Sequence, residues 1–223
     1  MKAVVEFLRQ LHAHNERAWF EAHRAEWLQL QERVRSFAEG IASFDPSVER
    51  LTAKDCTYRI YRDVRFSRDK SPYKTWQGIY VAPHGKKAGY AGYYFHLEGA
   101  AEEGLVGSHM LFSGLHMPHP TVLRSVREEI LDNGAEFVGN IRRAEGFALD
   151  ESQRLRRTPA GFPADSPYDE LLRLKEVALC HPFGDDFLAG DDLLERTLAE
   201  FRKTAPFVQQ LNRAVQYAYE EMM

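Results

Sequence analysis

The stretch Tyr90-Ala91-Gly92-Tyr93-Tyr94-Phe95-His96-Leu97-Glu98 changes the period of the chain and decides how the rest is read. Side chains of an extended backbone alternate between two faces, so Tyr90, Tyr94, His96 and Glu98 share one face and Tyr93, Phe95 and Leu97 the other. One face is polar and aromatic, the other apolar, as expected for a strand in an antiparallel sheet. Working outward, Thr57 to Phe66, Trp76 to Ala82, Leu105 to Phe112 and Leu174 to His181 carry similar aromatic and β-branched content, and Gly or Pro separates several of them. They read as further strands. Pro83-His84-Gly85-Lys86-Lys87 reads as a basic, mobile turn between two of them.

On both sides the period returns to that of a helix. Phe20, His23, Trp27, Leu30, Val34, Phe37 and Ile41 follow one another at alternating spacings of three and four, one stripe of an amphipathic helix. A shorter helix carrying Val4, Phe7, Leu8 and Leu11 precedes it, with Asn15 as the expected N-cap between the two. Beyond Pro118 and Pro120, Val122, Val126 and Ile130 form one helical run and Phe137, Val138 and Ile141 another, punctuated by Asn133-Gly134. Arg154 to Tyr168 contains three prolines and reads as an ordered connection anchored by Phe162 and Tyr168. Asp191-Asp192 opens a last long helix with Leu194, Leu198, Phe201, Val208, Leu211 and Val215 on its face, to be kinked or divided at Pro206. Helices, then strands, then helices, without βαβ alternation, predict an α+β fold. We expect a single domain over residues 1–223, with a mixed or antiparallel sheet of about five or six strands packed against N- and C-terminal helices.

Composition excludes several classes. The 223 residues are 44% hydrophobic, enough for a core and unlike a disordered tail. No run approaches the roughly 20 apolar residues of a membrane span, and Glu6, Arg9 and Gln10 interrupt the segment where a signal-peptide core would lie. The two cysteines, Cys56 and Cys180, lack CxxC spacing, which fits buried thiols in a reducing cytoplasm. There is no GxSxG, no P-loop and no GxGxxG after a strand, so no cofactor is assigned. The net charge of -4 argues against non-specific binding of duplex nucleic acid.

That charge is unevenly distributed. Residues 54–87 hold nine Lys or Arg against three Asp, a local +6 that leaves -10 for the remainder. Inside this segment lies Arg59-Ile60-Tyr61-Arg62-Asp63-Val64-Arg65-Phe66-Ser67-Arg68-Asp69-Lys70-Ser71-Pro72-Tyr73. It resembles the signature of the Domain of Unknown Function 2461 family, R-x-x-R-D-x-R-F followed by D-K-x-x-Y, at Arg59, Arg62, Asp63, Arg65, Phe66, Asp69, Lys70 and Tyr73. The resemblance extends to Asn15-Glu16-Arg17 with Trp19-Phe20, to Gly92 through Glu98, to Gly161-Phe162-Pro163 and to Leu171 through Lys175. One departure is Phe112-Ser113-Gly114-Leu115-His116-Met117-Pro118, where the family is richer in glycine. The resemblance implies membership, and no particular activity, so the chemistry has to be argued from the residues.

Guanidinium forks match phosphate and carboxylate geometry, so Arg59, Arg62, Arg65 and Lys70, with Tyr73 and His96 nearby, are candidate ligands for a small anion. On a regular strand Arg62 falls on an apolar face, where an Arg needs a partner or a ligand. The same residues also suit a salt-bridge lattice neutralised by Asp63 and Asp69, and the sequence leaves both readings open. A third reading, a surface for a partner protein or single-stranded nucleic acid, draws on the interleaved Tyr58, Tyr61, Phe66, Tyr73 and Trp76. Candidate general bases are Asp63, Asp69 and Glu98. His96 and Glu98 with His109 or His116 have the ligand types of a metal-dependent hydrolase, but their spacing supplies no third ligand, so no metal is assigned.

Overall fold

The computed structural model describes residues 1–48, 51–100 and 107–222. Among them are seven α-helices and an antiparallel five-stranded sheet, an α+β fold with helices at both ends of the chain. The order of elements is α1 (Lys2–Ala13), α2 (Arg17–Ala22), α3 (Arg24–Ala42), α4 (Ala53–Cys56), β1 (Trp76–Val81), β2 (Gly92–Glu98), β3 (His109–Leu115), α5 (Pro120–Arg143), β4 (Ala148–Leu149), α6 (Asp169–Leu172), β5 (Val177–Phe183) and α7 (Leu193–Glu221). The strands lie in the order β1-β2-β3-β5-β4. No helix among the described residues is long and apolar enough to cross a membrane.

The chain divides into two compact units. The first comprises Met1–Lys86, Tyr94–Leu111 and Pro182–Leu198. Its core is built as the stripes demand: Val4, Val5, Phe7, Leu8 and Leu11 of α1 and Trp27, Leu30, Val34 and Ile41 of α3 are buried. Phe37 meets Phe95 of β2 at 4.9 Å between ring centroids, and Phe95 meets Phe183 at 5.6 Å. The expected single stripe is broken at His23, whose φ of -106° and ψ of 10° separate α2 from α3. The His23 ring stacks on Trp19 at 4.0 Å and its Nδ1 lies 2.8 Å from the Trp19 carbonyl, so the residue serves the corner.

Asn15 is not the N-cap; Glu16 occupies that position. The Asn15 amide instead pairs with the backbone of Tyr73, donating to its carbonyl at 3.0 Å and accepting from its N–H at 3.1 Å. A carboxamide offers the same donor and acceptor as a peptide, so it joins a backbone edge as a short strand would.

The second unit comprises Lys87–Tyr93, Phe112–His181 and Ala199–Met223. Here α5 and α7 pack through Phe137 and Phe207, and Tyr93 meets Phe201 at 5.2 Å. Buried polar groups are paired across the helices: Ser125 donates to the Ala214 carbonyl and Asn140 to Gln210, both at 2.8 Å. The punctuation at Asn133-Gly134 is a kink, with non-helical angles at Asn133, and the Tyr168 ring fills the space that a side chain at Gly134 would take. Pro206 lies within α7 without dividing it.

The boundaries of the strands moved by a few residues, and β3 begins at His109; Leu105 and Val106 lie outside the described residues. The short β4 was not foreseen. Thr57 to Phe66 is not a regular strand but an irregular ribbon with two isolated bridges, Thr57 to Ile79 and Tyr61 to Tyr73. The register slips because Tyr58 N–H bonds the Gly78 carbonyl whereas the Ile60 carbonyl accepts from Lys74 N–H, setting four residues against two. Such a bulge ends a ladder. The buried Gln77 amide fills the gap, donating to the carbonyls of Tyr58 and Gly78 at 3.1 and 2.9 Å.

Candidate functional site

Along the ribbon the expected alternation survives as burial, with Ile60 buried between exposed Arg59 and Tyr61. Beyond Arg62 the chain turns back to Ser71, and the charges of the turn close on one another. Arg62, its side chain 26% exposed, is ion-paired with Asp69. Arg65 forks onto Asp63, Nε to Oδ1 at 2.9 Å and Nη2 to Oδ2 at 2.6 Å. Lys70 Nζ donates to the Val64 carbonyl at 3.0 Å. Asp69 Oδ1 also accepts from Ser71 N–H and Oγ–H at 2.9 and 2.6 Å, an Asx turn. The Ser71 hydrogen bonds, with the Arg62 pair, hold the Asp69 carboxyl far below the usual carboxylate range, and the Arg65 fork lowers that of Asp63. Carboxylates so stabilised are weak proton acceptors.

Tyr73 is buried: its ring stacks on Phe20 at 4.1 Å in the core, and its backbone pairs with Asn15. His116 pairs with Glu176 at 2.8 Å on an exposed edge. Among the described residues no three His, Cys, Asp or Glu side chains are grouped to hold a metal ion.

Two other constellations stand beside the turn. The first is a cation pair. Lys74 follows Ile60 across the ribbon, and its Nζ lies 4.5 Å from the Trp76 ring centroid and 5.4 Å from that of Tyr58. Burial first, and the Arg59 charge second, lower the ammonium pKa. Neither Lys74 nor Arg59 has a carboxylate within ion-pair distance among the described residues. Lys86 is docked rather than mobile, its N–H on the Asp55 carbonyl at 3.0 Å and its Nζ on that of Lys54, and it lies 6.0 Å from the Tyr58 ring.

The second constellation runs along the polar face of β2, at the i, i+2, i+4 spacing read from the sequence. Tyr94 Oη lies 2.8 Å from His96 Nδ1, and His96 Nε2 lies 3.1 Å from Glu98 Oε2. The His96 and Glu98 side chains are fully buried. Burial above all, then nearby Tyr58 and Glu98, push the Tyr94 hydroxyl far up, so it keeps its proton and is able to donate to His96 Nδ1 when the ring hydrogen is on Nε2. Nε2–H then points at the carboxylate, the order of a hydroxyl–imidazole–carboxylate relay. Gly78 makes room for it: a Cβ there would lie 2.5 Å from Tyr94 Oη. Trp76 covers the imidazole at 5.6 Å.

The relay has a support. Glu98 N–H donates to His109 Nδ1 at 3.0 Å, which requires Nδ1 to be without a proton and places the ring hydrogen on Nε2. Nε2 then donates to Asp185 Oδ1 at 2.9 Å, and Arg9 grips the same carboxylate at 2.9 and 2.7 Å. Of the three candidate bases, Glu98 is the one buried against an imidazole.

Lys74, Tyr94 and Asp185 were absent from the candidates read in the sequence. The i+2 spacing of Lys74 and Trp76 was an available signal; Asp185 lies 76 positions from His109 and gave none. The thiols are not part of the site: burial pushes Cys56 up to about 11 and Cys180 up to about 12.

Comparison with known proteins bears on membership. No curated protein and no solved structure gives a significant match. A family model described as "Conserved hypothetical protein (DUF2461)" matches residues 3–209, so the chain, with its arginine turn and its Tyr94–His96–Glu98 face, belongs to the DUF2461 family.

Proposed function

We propose that the protein binds a small phosphate- or carboxylate-bearing ligand at Arg59 and Lys74, over Tyr58 and Trp76. The observation that carries this reading is the half-buried Lys74 ammonium, set beside a second cation, with neither of them in ion-pair contact with a carboxylate among the described residues and only the more distant charge of Asp63 acting on Arg59. A partly buried ammonium beside another cation is costly unless something of opposite sign meets it. Arg62 and Arg65 shape the turn next to this place rather than supply its charge, since each already has a carboxylate partner. Glu98, acting through His96 and Tyr94, is the acid–base group best suited to chemistry on such a ligand. The two free thiols support a reducing cytoplasm as the place of action.

The test is a thermal-shift titration with inorganic pyrophosphate at low ionic strength. A ligand at 100 times its Kd stabilises by about 2.7 kcal/mol, which for a chain of this size is a rise of roughly 5–10 °C. Lys74→Ala and Arg59→Ala are expected to lose the shift, and Arg65→Ala to keep it. A flat wild-type titration, or an undiminished shift in the Lys74→Ala Arg59→Ala double variant, overturns the reading.

A further inference from the structure

The small-anion reading leaves the tip of the arginine turn unused. Phe66 is 96% exposed, and Tyr61 on the same ribbon is 43% exposed. A Phe held in water contributes nothing to the core. Yet the turn that presents it is braced from within, by Arg62 on Asp69, Arg65 on Asp63, Lys70 on the Val64 carbonyl and Asp69 on Ser71. Bracing removes in advance the entropy that a loop loses on binding, so an exposed aromatic on a braced turn has the properties of a docking residue. The Arg65 guanidinium carbon lies 5.9 Å from the Phe66 ring, and Tyr61 rests on Phe20 and Tyr73 at 6.0 and 5.4 Å, which holds the Tyr61 ring. The same segment carries Arg59, Arg68 and Lys70, all exposed, and it is the one strongly positive stretch of an otherwise acidic chain.

Exposed aromatic rings interleaved with cations in one segment match a chain of bases and phosphates: each base has a face to stack and each linkage a charge to meet. A duplex keeps its bases stacked on one another and so has none to give, and the -10 borne by the rest of the molecule repels a wide polyanion. We propose that the ribbon from Arg59 to Lys70 binds single-stranded nucleic acid, with bases stacked on Phe66 and Tyr61 and phosphates held by Arg59, Arg68 and Lys70. The inference rests in part on the small-anion reading, because Arg59 serves both. A lipid surface also accepts an exposed Phe among cations, so vesicle binding is an arm of the test; two exposed rings five positions apart among cations favour the nucleotide chain, which offers a base and a phosphate at every step.

The experiment is fluorescence anisotropy with a labelled twelve-residue oligo(dT), alongside the pyrophosphate thermal shift. With three phosphates held, affinity is expected to fall about 20-fold between 50 and 200 mM salt. Phe66→Ala, which alters no core packing, is expected to weaken the oligonucleotide roughly 5- to 150-fold and to leave the pyrophosphate shift unchanged. A duplex of the same length is expected to bind at least tenfold more weakly. Absence of oligonucleotide binding at 50 mM salt alongside an intact pyrophosphate shift overturns this proposal and leaves the small-anion reading standing. Oligonucleotide binding that needs Phe66 but occurs without any pyrophosphate shift does the reverse. Unchanged oligonucleotide binding by Phe66→Ala, or loss by that variant of binding to phosphatidylserine vesicles alone, also overturns it.

Discussion

His109 can be divided into its two nitrogens by substitution. Nδ1 accepts the Glu98 N–H at 3.0 Å, and Nε2 donates to Asp185 at 2.9 Å. In His109→Asn the carboxamide oxygen reaches the position of Nδ1 and restores the acceptor for the backbone. In His109→Gln the longer side chain reaches the position of Nε2, restores the donor to Asp185 and removes the acceptor that His109 Nδ1 gives the Glu98 N–H. An orphaned buried donor costs about 1–3 kcal/mol. The bond to Asp185 is worth only about 0–1 kcal/mol, because that carboxylate is half open to solvent and keeps Arg9 as a partner. Packing opposes this order: Asn is smaller than Gln and leaves more space beside Phe183, whose ring centroid lies 5.5 Å from that of His109. If the backbone bond dominates, His109→Gln is the less stable variant by about 1 kcal/mol, a Tm lower by roughly 2–4 °C. Urea unfolding at pH 7 measures the difference directly, and hydrogen exchange at the Glu98 amide should speed up in the Gln variant alone. A less stable Asn variant with equal Glu98 exchange in both would refute the argument, and would mean that the ring is kept for its contact with Phe183.

Two further outcomes follow from the same geometry. Gly78→Ala puts a methyl 2.5 Å from Tyr94 Oη, in a position enclosed by Tyr58, Tyr80 and His96; overpacking there should destabilise by about 1–3 kcal/mol and break the Tyr94–His96 hydrogen bond, seen as a shifted His96 ring-nitrogen resonance, whereas an unchanged resonance would mean the ring has room to move. Acid should loosen the arginine turn: Asp63 and Asp69 have pKa values lowered by their hydrogen bonds, so their contribution to stability is complete above the ordinary carboxylate pKa of about 4 and is lost as pH falls below it. An Asp63→Asn Asp69→Asn variant should show a shallower loss of stability between about pH 4 and pH 2 than the parent, and an identical slope would assign the acid sensitivity to other groups.

Part of this was local and therefore legible. The face shared by Tyr94, His96 and Glu98 follows from a period of two, and the stripes of α1, α3, α5 and α7 follow from a period near 3.6. Arg62 announced its need of a partner by falling on an apolar face, and its partner, Asp69, lies only seven positions away. The ribbon Thr57 to Phe66 was misread as a strand because alternation of burial persists through a bulge, and only the backbone pairing reveals the slip.

What the tertiary structure decided lies at longer range. The side chain of Asn15 suits a helix cap as well as it suits the backbone of Tyr73, 58 positions on, and only the folded chain brings that backbone within 3.0 Å. The tautomer of His109 depends on a backbone N–H eleven positions before it and on a carboxylate 76 after it. The sign of a charge is written in its side chain, but its neutralisation depends on distance. Arg62 and Arg65 found carboxylates within their own turn, and Arg59 and Lys74 did not, which is why a segment whose +6 was plain in the sequence acquired its candidate site only when folded.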